Sequence, residues 1–523
     1  MSIGYCDRTK IEDIATTIRN AFHSSEKLTL AQINTKIKRI INDCTITEIK
    51  ASDYTSNYKL DLSGMYIPNC TKIYGPEEGK SPTWGYITSV DFSGIVTEKL
   101  TSLYGLFWSC TTITEIDLSP LNLTTVTDMY NLFNNCTSLA RIYGFNCDSA
   151  ENMEYCFGST LLTELPINEA PKATNIKGMF NSMTNITEAT FSAPLATDCS
   201  ELFLSCSNLL TADISVPLAT NIAGMFAYFK WGNSMKLESV RLYAPSATTT
   251  YGSTWGGTLG LFEGCTQLQT VDLTVGALEN ATNMFSQCNK LSDITITFAK
   301  SGANASGMFS DLSSLTNLTL TGSSNLINTS SMFENCTGLT SIPTLDLTNV
   351  TNTSSMFSGC TQLQTFTTSS TQNTVKTTAL ANMFYNCSSL TTVDLTQLYV
   401  YTTGGTIDSS YFTDMFTGCT SLTTLTLPTN FGYWYYSATS TSARKTSKPT
   451  LDLSDCPLTH DSCLDVFNKL GNRSQASRSS TTAYNSLVTG TLYLSDATYA
   501  LMTTDEIAIA TGKNWTVSTK TTT

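Results

Sequence analysis

Histidine is almost absent from this 523-residue chain, which carries only His23 and His460. That scarcity removes the commonest general base and a principal metal ligand from nearly the whole sequence. His23 falls in a polar turn. His460, beside Asp461 and near Asp455, stands where a helical pattern starts and reads as an N-cap neighbourhood rather than part of a nucleophilic triad. Charge is scarce as well: 14% of residues are Asp, Glu, Lys or Arg, and the formal net charge is -13. Phosphate binding needs clustered Lys and Arg, so a nucleic-acid partner is excluded. There is no run of 18 apolar residues, and with it goes any expectation of membrane insertion through a helix. C-x-x-C pairs and phosphate-cradling glycine loops are also missing. The first residues, MSIGYCDRTK, contain no apolar segment of the kind that forms a Sec signal peptide, so export by that route is not expected. These absences predict a protein with no catalytic residues, no metal and no cofactor.

What is present is a repeat. Phenylalanine recurs at 107, 133, 157, 180, 203, 226, 262, 285, 309, 333, 357, 384 and 416, most often at steps of 23 or 24. The preceding residue is Met in eight copies, Leu in four and Cys156 in one, and three residues after the Phe stands Cys in nine copies. An L-x-x-(I/V/L)-x-L phrase follows, as in Leu268, Val271, Leu273 or Leu422, Leu425, Leu427. Its last three residues alternate apolar, polar, apolar, the pattern of a short strand with one buried face. One repeat has nowhere to bury its Phe, Met and Leu, so the copies must stack, and thirteen strands at ~4.8 Å spacing give a rod or arc roughly 60 Å long. Asp residues recur from copy to copy on the polar side of the strand. A ladder of equivalent acids is a surface texture, whereas a catalytic carboxylate pair needs one distinctive location.

The period and the L-x-x-L-x-L strand resemble a leucine-rich repeat, and MF-x-x-C-x-x-L is similar to the BspA-type repeat of bacterial and phage surface proteins. The resemblance runs from about Leu106 to Leu427, with a ragged start near Met65. It implies an α/β solenoid, a leucine-rich repeat stack with one short strand per repeat, and a scaffold that is not tied to any reaction. The chain holds seventeen cysteines, nine of them in the ladder position, which also accepts Thr160, Met183, Phe229 and Leu312. The position therefore asks for burial, and its thiols are expected to act as small free hydrophobes rather than disulfides or metal ligands.

The flanks differ. In residues 1–45, Ile11, Ile14, Ile18 and Phe22 share one helical face, and Ile33 and Ile37 belong to a second stripe. Two such short helices cannot form a core alone and must attach to something or oligomerise. KIEDIATTIRNAFHSSEKLTLAQINTKI resembles the amino-terminal module of phage tail-fibre and other virion appendage proteins. Residues 46–105 read as an irregular lead-in, 106–430 as the solenoid, 431–450 as an aromatic and polar insertion, and 451–523 as a carboxy-terminal α/β cap. A second insertion, 229–257, carries Trp231, Tyr251 and Trp255. The 431–450 segment carries Phe431, Tyr433, Trp434, Tyr435 and Tyr436 beside a Ser/Thr/Lys/Arg run. Flat rings beside hydroxyls suit a carbohydrate surface, and rings covering the end of the last repeat are the plainer alternative. The reading that follows is a non-enzymatic virion structural protein, a tail fibre or receptor-binding appendage. Its helices would contact other virion proteins or further copies of itself, and its repeats would meet a host surface glycan or protein. A bacterial cell-surface adhesin and a head fibre are the alternatives.

Overall fold

The structure, a computed structural model, describes residues 46–65, 67–75, 85–228, 235–254, 257–367, 375–377, 379–400, 412–432, 450–472 and 489–520, together with Thr16 and Gln32. The helical stripes assigned to residues 1–45, including Ile11, Ile14, Ile18, Phe22, Ile33 and Ile37, lie outside the described residues. The chain forms two compact units, one of Met1–Ser246 with Asp272–Thr274, the other of Ala247–Val271 with Val275–Thr523.

Each unit is built on a column of phenylalanines. In the first, Phe107, Phe133, Phe157, Phe180, Phe203 and Phe226 are fully buried, with near-parallel rings whose centroids lie 5.4–5.8 Å apart. In the second, Phe262, Phe285, Phe309, Phe333, Phe357, Phe384 and Phe416 repeat the column at 5.4–6.0 Å. Each ring contributes about 1.5–3 kcal/mol on burial, with a smaller term from the offset stack.

The backbone around each Phe is neither helix nor strand. Leu103, Gly105, Phe107 and Ser109 donate their N–H groups to Asp128, Tyr130, Leu132 and Asn134 of the next repeat, at 2.8–2.9 Å. Ala305, Gly307, Phe309 and Asp311 do the same to Asn328, Ser330, Met332 and Glu334 at 2.7–2.9 Å. An ordinary parallel strand sends its bonds alternately to both neighbours. Here four consecutive inter-repeat donors face one way. The chain achieves this by adopting the left-handed region two residues before and two residues after the Phe, each in twelve of the thirteen repeats; Gly260 and Tyr228 are the exceptions. Gly, Asn, Ser and Asp fill most of these positions, the residues that adopt positive φ most readily or hydrogen-bond locally there. Five residues before the Phe, Asp128, Asn152, Asn175, Asp198 and Asn221 form a second ladder of backbone bridges. Their side-chain oxygens each accept the N–H two residues on, closing a turn.

The expected strands follow. Glu188–Ser192, Thr211–Ser215 and Ser239–Ala244 run parallel and in register, and Asp272–Thr274 of the same unit extends the sheet. In the second unit Asp293–Thr297 pairs with Asn317–Thr321, and Thr365–Thr367, Thr392–Asp394 and Thr424–Thr426 form a three-stranded sheet. One strand per repeat is not the outcome, however. Residues 161–168 and 340–347 form none. Pro166 and Pro343 fall where other repeats place the strand, and proline has no N–H to give the ladder. The bridging also begins before Leu106, because Glu48–Lys50 pairs with Lys72–Tyr74 and Lys72 bridges to Ser102. The 229–257 insertion divides, since Ser239–Ala244 is that repeat's own strand and Tyr251–Thr254 forms an antiparallel hairpin with Gly257–Gly260.

The fifteen cysteines of the described residues are free and buried. The expectation that they are only hydrophobic filler needs correcting. Cys136, Cys206, Cys336, Cys360, Cys387 and Cys419 each donate an S–H to the carbonyl of the preceding repeat's Phe at 3.0–3.1 Å. At Phe107, Phe333, Phe357 and Phe384 that carbonyl also accepts the N–H three residues on, so there the thiol fills its second lone pair. Burial pushes these thiols up, Cys206, Cys336 and Cys419 to about 12.

After the last repeat come helix α1 (His460–Lys469), helix α2 (Asp496–Ala500) and helix α3 (Thr504–Thr511), with parallel strands Thr450–Leu453, Gly490–Leu494 and Trp515–Thr519. Thr459 caps α1, and Thr503 with Glu506 forms a capping box on α3. The Gly418 N–H, which points onward like its equivalents, meets the Asp455 carboxylate at 2.8 Å. His460 joins the two helices, with Nδ1 at 3.0 Å from Asp461 and Nε2 at 2.9 Å from Glu506.

Two outcomes are expected. Cys360→Ala lowers stability by about 1–2 kcal/mol in urea unfolding under reducing conditions, and Cys360→Ser recovers part of it by keeping a donor to Phe333; equal losses would mean that the thiol only fills space. The carboxylates of Asp461 and Glu506 raise the His460 pKa above its ordinary value, while the hydrogen bonds from Thr503 lower that of Glu506. The His460 contribution is therefore fully present below the unfolded histidine pKa, as long as Glu506 stays ionised, and is lost as pH rises through the raised folded value. The Tm difference between the native chain and His460→Gln should shrink from pH 6 to pH 9, and a difference that grows would reverse this assignment.

Candidate binding surface

Because the ladder consumes the repeated residues, any site must be made of residues that depart from the repeat. Two such groups stand out in the first unit.

The first is built around a buried carboxylate, Glu201. Tyr155 and Glu201 occupy the left-handed position before the Phe, at φ 53° and 61°, where neighbouring repeats place Gly178 and Gly224. The Tyr155 ring lies over Gly178, where an added Cβ would stand 2.1 Å from a ring carbon. It thereby reaches Glu201 two repeats away, donating its hydroxyl to Oε2 at 2.9 Å. Glu201 is fully buried, and Lys177 Nζ stands 3.6 Å from Oε1, which has no hydrogen bond. Burial, reinforced by the carboxylate, pushes the Tyr155 phenol far above its ordinary range. Every member is committed to another, so the cluster is an internal brace.

The second group faces outward on the strands. Most strand-face residues are Thr, Asp, Asn or Ser, and in the second unit Thr295 and Thr297 stand beside Thr319 and Thr321 with two hydroxyls 2.8 Å apart. The first unit interrupts that texture with Arg141, Tyr143, Arg241 and Tyr243. Both tyrosines are about half exposed, 48% and 46%. Arg241 lies between two carboxylates, 3.2 Å from Asp213 and 3.7 Å from Asp272, and Arg141 is 3.9 Å from Glu115. Exposed pairs of this kind add little stability and remain free to exchange partners. The strand face thus offers aromatic edges and guanidinium donors, the latter paired with carboxylates, among hydroxyl and acidic side chains.

The predicted ring clusters fare differently. Phe431 is 3% exposed, packs on Phe412 at 5.0 Å and exchanges backbone bonds with Lys469 and Gly471, so it is core and not a contact residue. The apolar ring has no polar atom to keep it at the surface, and the segment after the last strand buries it. Tyr251 is half-buried on the hairpin with its hydroxyl on Thr258. Trp231, Trp255, Tyr433, Trp434, Tyr435 and Tyr436 lie outside the described residues. Among the described residues no group of three or more His, Cys, Asp or Glu could hold a metal, and no helix is long and apolar enough to cross a membrane. The strand-face residues were missed because alternation was read for its buried half only. The signal was available: Arg and Tyr stand at positions that other copies fill with Thr or Asp.

Comparison with known proteins agrees with the repeat. Residues 259–352, 305–414 and 348–445 match the BspA type leucine rich repeat region, in six copies in all. Residues 101–215 match a family described as a Mycoplasma protein of unknown function. Curated proteins yield no match. Solved structures resembling the chain include a leucine-rich repeat protein from Bacteroides ovatus, at 17% identity over 62% of this chain and 82% of that one with a TM-score of 0.31. Others are a leucine rich cell surface protein from Faecalibacterium prausnitzii, at 15% identity over 75% and 88% with a TM-score of 0.24, and an internalin from Listeria monocytogenes, at 15% over 80% and 88% with a TM-score of 0.22.

Tyr155→Phe should remove the one hydroxyl that bonds the buried Glu201 carboxylate and lower stability by about 1–3 kcal/mol. In a double-mutant cycle with Glu201→Gln the two losses should be strongly non-additive, and simple additivity in chemical denaturation would dissolve the brace.

Proposed function

We infer, for a chain whose residues 259–445 match the BspA type leucine rich repeat region, a non-enzymatic recognition protein of the bacterial cell-surface adhesin kind. The observation that carries this is the division of labour within each repeat. The Phe, Met, Cys, Asn and Leu positions are largely spent on the internal ladder, and the outward residues of the strand face are free to vary, as Arg141, Tyr143, Arg241 and Tyr243 do among Thr, Asp and Ser. A surface that varies residue by residue over a fixed scaffold suits adhesion to a macromolecule. The partner is a host or neighbouring-cell surface glycan or protein, and the first unit's strand face with Tyr143, Arg141, Arg241 and Tyr243 is its contact region. The virion reading, motivated by the resemblance of residues 10–37, the expected lack of a signal peptide and the capped repeat stack, gains no support from the comparisons, and of residues 10–37 the structure describes only Thr16 and Gln32. Contacts with other virion proteins or further copies through that segment rest on the same residues.

The test has two parts. Protease added to intact producing cells should degrade the protein, and beads coated with the purified chain should adhere to surfaces bearing mucus glycoprotein or matrix protein. The double variant Tyr143→Ala/Tyr243→Ala should adhere at least tenfold less while its Tm stays unchanged. Protection from protease combined with recovery in purified phage particles would overturn the cell-surface reading in favour of the virion. Full adhesion by the folded double variant would remove the strand face.

A further inference from the structure

The two most exposed large side chains among the described residues that carry an apolar body are Tyr58 and Tyr86, at 63% and 67%. They are neighbours, with ring centroids 6.5 Å apart and planes at 67°. Tyr58 is the second residue of a two-residue hairpin loop, since Ser56 pairs with Lys59 and only Asn57 and Tyr58 lie between. Both have positive φ, 49° and 63°. Such a turn favours Asn followed by Gly, and a bulky aromatic in the second place is strained. Elsewhere the same strain is offset: Tyr155 and Glu201, also left-handed, are bonded to each other in the interior. Tyr58 has no comparable return from burial. A strained backbone that holds a ring in water, against a second ring, points toward function and away from packing.

The geometry separates this pair from the other tyrosine contacts. Tyr104 and Tyr130 are stacked at 4.9 Å and 16°, so they cover each other's faces. Tyr58 and Tyr86 meet edge to face, which leaves ring faces open. Their surroundings are hydroxyl and amide groups, Ser56, Asn57, Thr88 and Ser89, all exposed. The Thr88 N–H and hydroxyl both bond to the Tyr58 carbonyl, tying the residue before strand Ser89–Asp91 to the turn. Among the described residues the adjoining Lys59 is matched, its Nζ 2.8 Å from Asp91 and 3.1 Å from Asp61. Two rings also present far less area than the ~800 Å² per partner of a stable protein interface.

We propose that Tyr58 and Tyr86 form a carbohydrate contact for neutral hexose chains, in which the C–H face of a pyranose stacks on an open ring while hydroxyls engage Thr88, Ser89 and Asn57. The assignment rests on the recognition reading above but uses none of its strand-face residues. Neutral sugars fit because the rim has donors and acceptors without uncompensated charge, and rings in water cost least when an apolar sugar face replaces that water.

Glycine is the residue the turn prefers, so Tyr58→Gly separates fold from function. The full chain, Tyr58→Gly, Tyr86→Ala and the double variant would be titrated with cellohexaose, maltohexaose, mannohexaose and galactohexaose, alongside thermal unfolding. Tyr58→Gly should match or exceed the native Tm and still weaken binding of the preferred oligosaccharide at least tenfold, with Tyr86→Ala weakening it at unchanged Tm. Retained affinity in the double variant, or no binding of any of the four by the native chain, overturns the proposal. If the native chain binds none of them while coated beads still adhere, this site is wrong and the recognition reading stands. If the oligosaccharides bind but adhesion fails, the site stands and the broader reading falls. Adhesion to matrix protein that is lost in the double variant without oligosaccharide binding makes the rings a protein contact and also overturns the assignment.

Discussion

Everything in this structure depends on a backbone that donates in one direction. In the run from Phe133 to Phe203, four N–H groups around each Phe face the following repeat and four carbonyls face the preceding one, as with Tyr155 to Lys177 and Phe157 to Met179. Peptide dipoles aligned in this sense add along a stack much as they do along a helix. The arrangement requires two left-handed residues per repeat. That requirement explains the Gly, Asn, Ser and Asp columns flanking the Phe better than any need for flexibility does.

A one-way ladder leaves its last donors without partners. At the repeat of Phe416 the chain meets this with side chains. Asp455 accepts from the Gly418 N–H, where Asn386 in the repeat before donates to the Thr417 carbonyl. Cys456 extends the thiol series, its S–H directed at the Phe416 carbonyl at 3.7 Å, and the Thr459 N–H bonds to Thr423. A carboxylate is the natural substitute, because it accepts charge-assisted bonds and sits favourably against aligned donors. The segment entering α1 thus copies the polar contacts of a further repeat without its Phe.

Much of this was legible in the sequence. The Phe register, the buried ladder and the short strands follow from period and alternation alone, and Thr459 as the start of a helix follows from capping. What escaped was physical detail that a hydropathy pattern does not carry. Proline at 166 and 343 was visible but not weighed against the ladder bond that it deletes. The thiol position tolerates Met and Leu, which hid the S–H···O bond that most of its occupants make. Phe431 was grouped with its aromatic neighbours, although an unadorned ring beside a strand end is the one most readily buried. The outward residues were hardest to read, because period reports what is shared and a binding surface is made of what is not.

That contrast bears on how repeat proteins of this kind are to be read. Consider three residues that break the left-handed column or its equivalents: Tyr155, Glu201 and Tyr58. The first two repay their backbone strain in the interior, through a hydroxyl–carboxylate bond beside Lys177. Their departure from consensus is explained by stability. Tyr58 carries the same strain with its ring 63% exposed. Strain without burial is not maintained by folding free energy, so the balance must close outside the fold. Sorting departures from a repeat by whether the interior repays them separates braces from contacts, and it does so without reference to any relative's function.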